Sequence, residues 1–311
     1  MSPLLSVRDL VVDYRSRSHH ARALDGVSLD IEPGQTVGLV GESGSGKTTL
    51  GRAILGLVPV TSGTIVFDGQ DITRLTGARR RALGSQIQAV FQDPYGSLNP
   101  ALKVSAILAE SLRAASPVAG ERAAEQTRDM LARTGLPATA IDRYPGAFSG
   151  GQRQRLAIAR ALMPEPRLVV CDEATSALDL SVQAQILNLL RDLQQQLSLS
   201  YLFIGHNLDV VRFVSHRVVV LYHGQLLEEG PAAVVARQPR HPYTRSLVAA
   251  TRPGRPAAAR QEPSQARSAG CAFAPRCQLA TDVCWVTRPA LVRLNGTSAA
   301  CHHLPSGEES L

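Results

Sequence analysis

The sequence from residue 41 to residue 49 is Gly41-Glu42-Ser43-Gly44-Ser45-Gly46-Lys47-Thr48-Thr49. An apolar run precedes it at 36–40 and a second run follows at 50–55, so the predicted order is strand, glycine loop, helix. Glycines let the N–H groups of the loop point inward at a helix start, where the helix dipole also favours an anion. In such a loop Lys47 offsets the charge of the β- and γ-phosphates, and the Thr48 hydroxyl binds Mg²⁺. The stretch therefore predicts a phosphate-binding loop rather than a glycine-rich surface turn.

The composition is that of a globular protein. The chain has 311 residues, 44% of them hydrophobic, which is enough for one large domain or two with a buried core. No apolar run reaches the roughly 18 to 20 residues of a membrane-spanning helix, and residues 1–9 lack a basic-then-apolar signal peptide. We therefore expect a cytoplasmic chain. The net charge of +7 permits a nucleic acid, an anionic lipid or an acidic protein as partner without identifying one.

Alternating apolar residues predict strands on both sides of the phosphate-binding loop. Residues 6–14 and 27–31 are predicted strands separated by a polar loop, and residues 64–67 and 86–91 are two more. Tyr14 ends the first strand, so its ring is a candidate to stack on an adenine base. The alternative is that Tyr14 binds no nucleotide and is an ordinary half-buried tyrosine of a sheet.

A helical segment follows the strand that leads to Gln92. The prolines and the glycine of residues 93–100 break regular structure. From residue 105 to residue 134, apolar residues recur at three- and four-residue spacing, which predicts helix. We interpret this segment as a helical insertion in an α/β core.

A second glycine motif, Ser149-Gly150-Gly151-Gln152, opens a predicted helix at 153–162 and is another helix start suited to an anion. The apolar strand that follows ends in the adjacent carboxylates Asp172 and Glu173. In a phosphate-binding-loop protein the first carboxylate of such a pair holds Mg²⁺, and the second orients or deprotonates a water.

An amphipathic helix is predicted after Asp179, at 182–197, followed by a strand at 201–205. His206 comes directly after that strand. A lone histidine is more often structural than catalytic, but the carboxyl ends of strands are where open α/β sheets bind ligands. Two further strands are predicted at 216–222 and 225–229.

Taken together, these motifs resemble the nucleotide-binding subunit of ATP-binding cassette (ABC) transporters over residues 5–250. The specific feature is the combination of the phosphate-binding loop with Ser149-Gly150-Gly151-Gln152, placed shortly before Asp172 and Glu173, with Gln92 upstream and His206 downstream. The fold class that the resemblance implies is α/β, a P-loop NTPase with an N-terminal β subdomain.

The implied domain organisation has three parts. The ABC nucleotide-binding domain covers residues 1–251, with a helical subdomain at about 93–165. A linker rich in Pro, Ala, Arg, Gln and Ser covers 252–270, and a Cys-rich metal-binding extension covers 271–304.

Two segments and the cysteine tail look like the oligopeptide and dipeptide importer branch of the family. The segments are Phe91-Gln92-Asp93-Pro94-Tyr95-Gly96-Ser97-Leu98-Asn99-Pro100 and His241-Pro242-Tyr243-Thr244. Residues 45–52 look like the second of its two ATPase subunits. The resemblance implies an ATPase that energises import of di- and oligopeptides from the cytoplasmic face of a bacterial membrane. The implied partners are a second homologous ATPase subunit in a heterodimer, two transmembrane permeases and an extracytoplasmic substrate-binding protein.

The alternative function is a soluble ABC ATPase that acts on nucleic acid or ribosomes. Such proteins usually carry two cassettes or a long coiled-coil insertion, and the sequence shows neither, so no nucleic-acid partner is expected. Export is disfavoured because the sequence has no fused membrane domain.

The resemblance also implies a role for each motif residue. Glu173 acts as general base, while His206 contacts the γ-phosphate and Gln92 senses the γ-phosphate and the metal. Mg²⁺ is held by Thr48, Gln92 and Asp172. The residues that contact ATP are Tyr14, Gly41, Ser43, Gly44, Ser45, Gly46, Lys47, Thr48 and Thr49 from this subunit and Ser149, Gly150, Gly151, Gln152 and Asp179 across a head-to-tail dimer.

Four positions depart from the family pattern without removing a catalytic group. Phe148 replaces a leucine, Ala174 replaces a proline, and Gly205 and Asn207 flank His206 in place of Ser or Thr and Asp. The Asn207 change is expected to weaken the hydrogen bonding that positions the histidine.

The tail contains four of the five cysteines, Cys271, Cys277, Cys284 and Cys301. Disulfides are not expected because the chain carries no export signal and cytosolic thiols stay reduced. The spacings of five, six and sixteen residues lack the paired hairpins of structural zinc, although zinc stays an alternative with His302 or His303 as a ligand. Four thiolates without that spacing also suit an iron–sulfur cluster, and the resemblance favours [4Fe–4S]. Chance clustering of free cysteines is the remaining alternative.

Overall fold

The computed structural model describes residues 2–15, 20–115, 121–250 and 269–304. In these ranges the strands are β1 (Leu5–Arg15), β2 (His20–Ile31), β3 (Thr36–Val40), β4 (Ser62–Phe67), β5 (Gln70–Asp71), β6 (Ile87–Val90), β7 (Leu168–Asp172), β8 (Ser200–Gly205), β9 (Arg217–Tyr222), β10 (Gln225–Pro231), β11 (Val292–Leu294) and β12 (Thr297–Ala299). The helices are α1 (Lys47–Ile54), α2 (Gly77–Leu83), α3 (Pro94–Ser97), α4 (Val104–Ala115), α5 (Glu121–Arg133), α6 (Gly150–Leu162), α7 (Leu180–Leu197), α8 (Leu208–Val214), α9 (Ala232–Arg237), α10 (Pro242–Ala250) and α11 (Asp282–Val286).

An antiparallel sheet in the order β2-β1-β4-β5 forms the N-terminal part. The predicted strand at 27–31 is correct but too short, because β2 begins at His20 and pairs with the far end of β1, for example Tyr14 with Ala21. Residues 20–26, which belong to the polar loop predicted between the two strands, are therefore strand.

The larger sheet has the order β11-β12-β10-β9-β3-β8-β7-β6, and its strands from β9 to β6 run parallel. Every residue of β3 and β8 is buried, which is typical of parallel strands covered on both faces. The carboxyl ends of β3, β6, β7 and β8 therefore lie at one edge of the sheet, where open α/β sheets bind ligands.

The predicted helical insertion is confirmed as helix, in the form of α4 and α5. Its core is apolar and includes Leu108, Leu112 and Leu131, which belong to the same buried cluster as Leu156 of α6. Residues 116–120, between the two helices, lie outside the described ranges. This packing fixes the start of α6, and therefore the position of the second glycine motif.

The C-terminal extension, residues 271–304, packs directly on the larger sheet. The hairpin of β11 and β12 adds to the larger sheet because β12 pairs with β10, Glu228 with Ala299 and Glu229 with Ser298. Phe273 is buried, 5% exposed. The predicted linker at 252–270 lies almost wholly outside the described ranges. Among the described residues, no helix is both long and apolar enough to cross a membrane.

Candidate functional site

The phosphate-binding loop leaves β3 and enters α1, as its sequence predicts. Ser43 and Gly44 lie at its exposed tip, whereas Ser45 is buried. The Ser45 N–H donates to the carbonyl oxygen of Glu42 at 3.1 Å, and the Gly224 N–H donates to that of Ser45 at 2.9 Å. The loop is thus closed on itself and attached to the turn between β9 and β10.

The Lys47 side chain lies inside this loop and is only 5% exposed as a residue. Its Nζ donates hydrogen bonds to the carbonyl oxygens of Gly41 and Glu42, each at 2.8 Å, and to Ser45 Oγ at 3.3 Å. Burial lowers the pKa of Lys47, and the neighbouring carboxylates, first among them Glu173, oppose that shift. The ammonium group is therefore a buried cation bonded only to neutral oxygens, which suits it to exchange those bonds for phosphate oxygens.

Glycine is required at two positions of the loop. A Cβ on Gly41 would lie 2.2 Å from the carbonyl oxygen of Leu221, and one on Gly46 would lie 2.6 Å from that of Ala23. Gly46 also has a φ of 103°, in the left-handed region that side chains disfavour. These glycines let the loop lie directly against β2 and β9.

Thr48 and Asp172 meet across the edge of the sheet, where the Thr48 hydroxyl donates to Asp172 Oδ1 at 3.1 Å. Burial raises the pKa of Asp172, the Thr48 hydrogen bond opposes the shift, and the charge of Glu173 adds to it. A cation at this point would offset the cost of the buried charge. Hydroxyl and carboxylate oxygens are ligands that Mg²⁺ prefers, so these residues fit a Mg²⁺ site.

Glu173 and His206 follow β7 and β8 and face each other, with Glu173 Oε2 3.6 Å from His206 Nδ1. Glu173 has a φ of 50°, a conformation that costs energy for a residue other than glycine. Hydrogen bonds hold it there: its N–H donates to the carbonyl oxygen of Ile204 at 3.0 Å, and the N–H and hydroxyl of Ser176 donate to its carbonyl oxygen at 3.1 and 3.0 Å. A cavity of about 250 Å³ lies beside the pair. The backbone therefore directs the Glu173 carboxylate toward space that a water can occupy.

Tyr14 and Gln92 lie at the borders of this region. The Tyr14 hydroxyl is 3.4 Å from Thr49 Oγ1, so its ring, 41% exposed as a residue, lies beside the first turn of α1. Gln92 is exposed and comes just after β6, at the same edge of the sheet as Asp172. Adenine stacking by Tyr14 and γ-phosphate sensing by Gln92 remain predictions.

The second glycine motif begins α6 with a capping box. The Gln152 N–H donates to Ser149 Oγ at 3.3 Å, and the Ser149 N–H donates to Gln152 Oε1 at 3.1 Å. A Cβ on Gly151 would lie 2.5 Å from Val182 Cγ1, so this glycine lets α6 approach α7 closely. The exposed Ser149 and the half-buried Gly150 therefore lie at the surface end of a closely packed helix pair.

Asp179 caps α7 close to that motif. Its Oδ1 accepts from the N–H groups of Val182 at 2.9 Å and Ser181 at 3.1 Å, and the Val182 hydrogen bond leads the causes that lower the pKa of Asp179. Within the described ranges, no hydrogen bond or ion pair joins Ser149, Gln152 or Asp179 to the phosphate-binding loop. In one chain, the phosphate-binding loop and the group of Ser149, Gln152 and Asp179 are therefore two separate sets of polar residues.

The four tail cysteines lie near one another. The Cys271 N–H donates to the carbonyl oxygen of Cys284 at 2.8 Å. Burial raises the pKa of Cys271, and the charges of Cys301, Cys277 and Cys284 add to the rise. Cys284 Sγ is also 3.6 Å from His303 Nε2. Among the described residues, no group of three or more His, Cys, Asp or Glu side chains has the spacing of a site for a metal ion, so the metal site remains a prediction.

Several contacts at the site were not predicted from the sequence. Asn207, which departs from the family pattern, caps α8 by accepting from the N–H groups of Asp209 at 2.9 Å and Val210 at 3.4 Å. The Tyr243 hydroxyl accepts from the Glu42 N–H at 2.8 Å. Tyr243 belongs to the His-Pro-Tyr-Thr segment, whose resemblance to the importer branch singles out this residue without indicating its contact with Glu42.

The loop around Lys47, the Thr48–Asp172 pair and the Glu173–His206 pair at one edge of a parallel sheet define a P-loop ATPase cassette. The family profile described as ABC transporter matches residues 24–176, and the one described as oligopeptide/dipeptide transporter, C-terminal region, matches residues 227–284. The chain belongs to the ABC transporter family and is an ATPase of that type.

Relatives match over most of the chain. A protein of Brucella abortus is 47% identical over 305 residues, covering 95% of this chain and 91% of the relative. A protein of Brucella ovis is 46% identical over 298 residues, covering 93% of this chain and 94% of the relative. Both are named as peptide import ATP-binding proteins.

Solved ABC cassettes share the fold. A dimeric ATP-binding cassette in a post-hydrolysis state, bound to ADP and Pi, superposes with a TM-score of 0.66 at 28% identity and covers 73% of this chain and 98% of its own. CbiO1 from Clostridium perfringens, part of an ABC transporter complex, has a TM-score of 0.66 at 28% identity over 77% of this chain and 97% of its own. These superpositions confirm the predicted fold class as an ABC cassette. They do not confirm the predicted Cys-rich extension.

Proposed function

We propose that this chain is the ATP-hydrolysing subunit that energises import of di- and oligopeptides through a membrane permease. The observation that supports this most directly is the match of residues 227–284 to the C-terminal region of oligopeptide and dipeptide transporters. The names of the relatives agree with it. Both matching family profiles describe transporters, and neither supports the nucleic-acid alternative.

The site geometry supports a division of roles. Lys47 and the loop N–H groups bind the triphosphate, and Thr48 and Asp172 hold Mg²⁺, which offsets phosphate charge when bound. Glu173 accepts a proton from the attacking water, and His206 and Gln92 contact the γ-phosphate side. Tyr14 stacks on the base beside the first turn of α1.

The group of Ser149, Gly150, Gly151, Gln152 and Asp179 serves the nucleotide of a partner subunit. Among the residues that the structure describes, no hydrogen bond or ion pair joins this group to the chain's own phosphate-binding loop, and this supports the assignment. The N–H groups of Gly150 and Gly151, in the first turn of α6, are the proposed donors to an anion bound by the partner.

The proposed assembly is a heterodimer with a second homologous ATPase, held at the cytoplasmic face of a membrane by two permeases and supplied by an extracytoplasmic substrate-binding protein. Residues 1–251 form the nucleotide-binding domain, with its helical subdomain at about 93–165. Residues 252–270 form a linker, and residues 271–304 form an extension docked on β10.

The assembly can be tested by purifying the tagged full-length chain from detergent-solubilised membranes of its own cells. We expect two multi-spanning permeases and one different ATPase to co-purify in equal amounts, and the reconstituted complex to hydrolyse ATP faster when its binding protein carries a peptide. Recovery of nucleic acid or ribosomal proteins instead would support the alternative function. Normal transport by a complex with two copies of this chain would exclude the heterodimer but keep peptide import.

The four tail cysteines are proposed to hold a [4Fe–4S] cluster with a structural or regulatory role. The backbone contact between two of them supports the proposal, because the Cys271 N–H donates to the carbonyl oxygen of Cys284 at 2.8 Å. Zinc bound by the same thiols is the alternative. When bound, either metal would stabilise the thiolates of Cys271, Cys277 and Cys301, whose pKa values burial raises.

Anaerobically purified protein is therefore expected to be brown and to contain iron and acid-labile sulfide. Cys277→Ser should lose the colour and still bind ATP, whereas Cys171→Ala, which changes the buried cysteine of β7, should keep the colour. Iron and sulfide analysis with visible absorption measures both. Colourless wild-type protein with one zinc per chain would exclude the cluster but keep the metal site, and a metal-free, folded tail would exclude both.

A further inference from the structure

Glu42, the second residue of the phosphate-binding loop, is held from three directions. Lys47 donates to its carbonyl oxygen, and the Tyr243 hydroxyl accepts from its N–H, each at 2.8 Å. Its carboxylate is bound by Arg276, whose two terminal nitrogens donate to Oε2 at 2.7 Å and to Oε1 at 3.2 Å. This two-point arrangement is the strong geometry of an arginine–carboxylate pair.

Arg276 belongs to the Cys-rich extension and is itself well anchored. It follows Phe273 by one short turn and directly precedes Cys277. The Phe273 ring packs against those of Tyr222 at 5.3 Å and Tyr243 at 5.4 Å between centroids. The guanidinium also donates to the Tyr222 hydroxyl at 3.4 Å, and the side chain is 22% exposed. The hydrogen bond to Glu42 is the first cause that raises the pKa of Arg276.

Two physical effects follow at the nucleotide site. The loop from Gly41 to Gly46 is rich in glycine, so fixing its backbone costs more conformational entropy than for most segments, and an external anchor reduces what ATP binding must supply. The negative charge of Glu42 also acts on Lys47, the cation that faces the triphosphate, and raises its pKa against the larger effect of burial. Arg276 neutralises that carboxylate and so lowers the repulsion that Glu42 would exert on an anionic ligand.

We propose that Arg276 is a positioning residue for ATP binding: by holding Glu42, it keeps the phosphate-binding loop in its binding shape and makes the ATP affinity of the cassette depend on the C-terminal extension. The proposal rests on the ATPase activity of the family and does not require peptide as cargo.

Full-length Arg276→Gln is expected to bind ATP about five-fold more weakly, with a matching rise in KM, because a partly exposed two-point ion pair is lost. Its kcat should stay within about two-fold of wild type, since no group that acts on the reacting atoms changes. Arg276→Lys keeps the charge and should recover part of the affinity. Arg293→Gln, an exposed arginine on β11 of the same extension, is the matched control and should leave Kd and KM unchanged.

A double-mutant cycle with Glu42→Gln tests whether Arg276 acts through Glu42. In the Glu42→Gln background, Arg276→Gln should have little further effect on Kd, because contacting residues do not act additively. Calorimetric titration with ATP and thermal unfolding are measured on each variant. The proposal is overturned if Arg276→Gln binds ATP as tightly as Arg293→Gln does, even where Arg276→Gln unfolds at a lower temperature. It is also overturned if Arg276→Gln changes Kd by the same factor in the Glu42→Gln background as in the wild type. Should Arg276→Gln fail to fold, wild-type KM in both Arg276→Lys and Glu42→Gln would also overturn it.

Discussion

Replacing Lys47 with alanine is expected to abolish measurable ATP binding by the full-length chain. In the proposed function the ammonium group offsets triphosphate charge, and in the structure it joins the carbonyl oxygens of Gly41 and Glu42 inside the loop. Truncating one partner of a buried charged interaction costs about 2–5 kcal/mol, which lowers affinity by at least about 30-fold. Calorimetric titration with ATP and Mg²⁺ measures the loss.

Lys103 provides a matched control, because Lys47 and Lys103 are the lysines of this sequence. The Lys103 side chain is 48% exposed and its Nζ is 4.0 Å from Asp142 Oδ1. Exposed pairs of this kind contribute about 0–1 kcal/mol, so Lys103→Ala should bind ATP as the wild type does. Undiminished ATP affinity in Lys47→Ala would contradict the role of this lysine, as would an equal loss in both variants.

The parts of the site that the sequence predicted are those built within one short segment. The loop from Gly41 to Thr49 needs its glycines for local backbone shape, and the Gly46 φ of 103° is a direct result. The carboxylates Asp172 and Glu173 were placed correctly because the carboxyl ends of parallel strands meet at one edge of the sheet.

The contacts that the sequence did not predict join residues far apart in the chain. Tyr243 and Arg276 bind Glu42 across 201 and 234 residues, and neither the periodicity nor the His-Pro-Tyr-Thr segment that contains Tyr243 identifies Glu42 as the partner. The short hairpin of β11 and β12 was missed for a related reason, since its stability comes from pairing with β10 rather than from its own three-residue strands. Tertiary contacts of this kind decide how the extension meets the cassette.

Asn207 departs from the family pattern but keeps one structural role that an aspartate would have at this position. The expected weakness at His206 came from comparing Asn with Asp at this position. In the structure the Asn207 side chain caps α8 through its oxygen, which an aspartate would do in the same way. The backbone that carries His206 therefore keeps its support, and the effect of Asn207 on the rate of hydrolysis stays a prediction.

Replacing Glu173 with glutamine is expected to separate binding from turnover. Glutamine keeps the shape of the side chain and one oxygen but cannot accept a proton from water, so ATP should still bind while kcat falls by about 10²- to 10⁴-fold. With hydrolysis blocked, the ATP-bound closed dimer should accumulate in the assembled transporter. Steady-state ATPase assays, with ATP binding and gel filtration in the presence of Mg²⁺, measure the three effects.

Glu165→Gln is the control for this experiment, because Glu165 is an exposed glutamate in the turn after α6 and also has a positive φ, 54°. It should hydrolyse ATP at the wild-type rate, which would show that the loss in Glu173→Gln depends on position and not on removing a surface charge. The proton-accepting role requires more than proximity to the site: the Glu173 carboxylate lies 3.6 Å from His206 and beside a cavity open to water. Wild-type turnover in purified Glu173→Gln would therefore exclude Glu173 as the general base, even with ATP bound at Lys47.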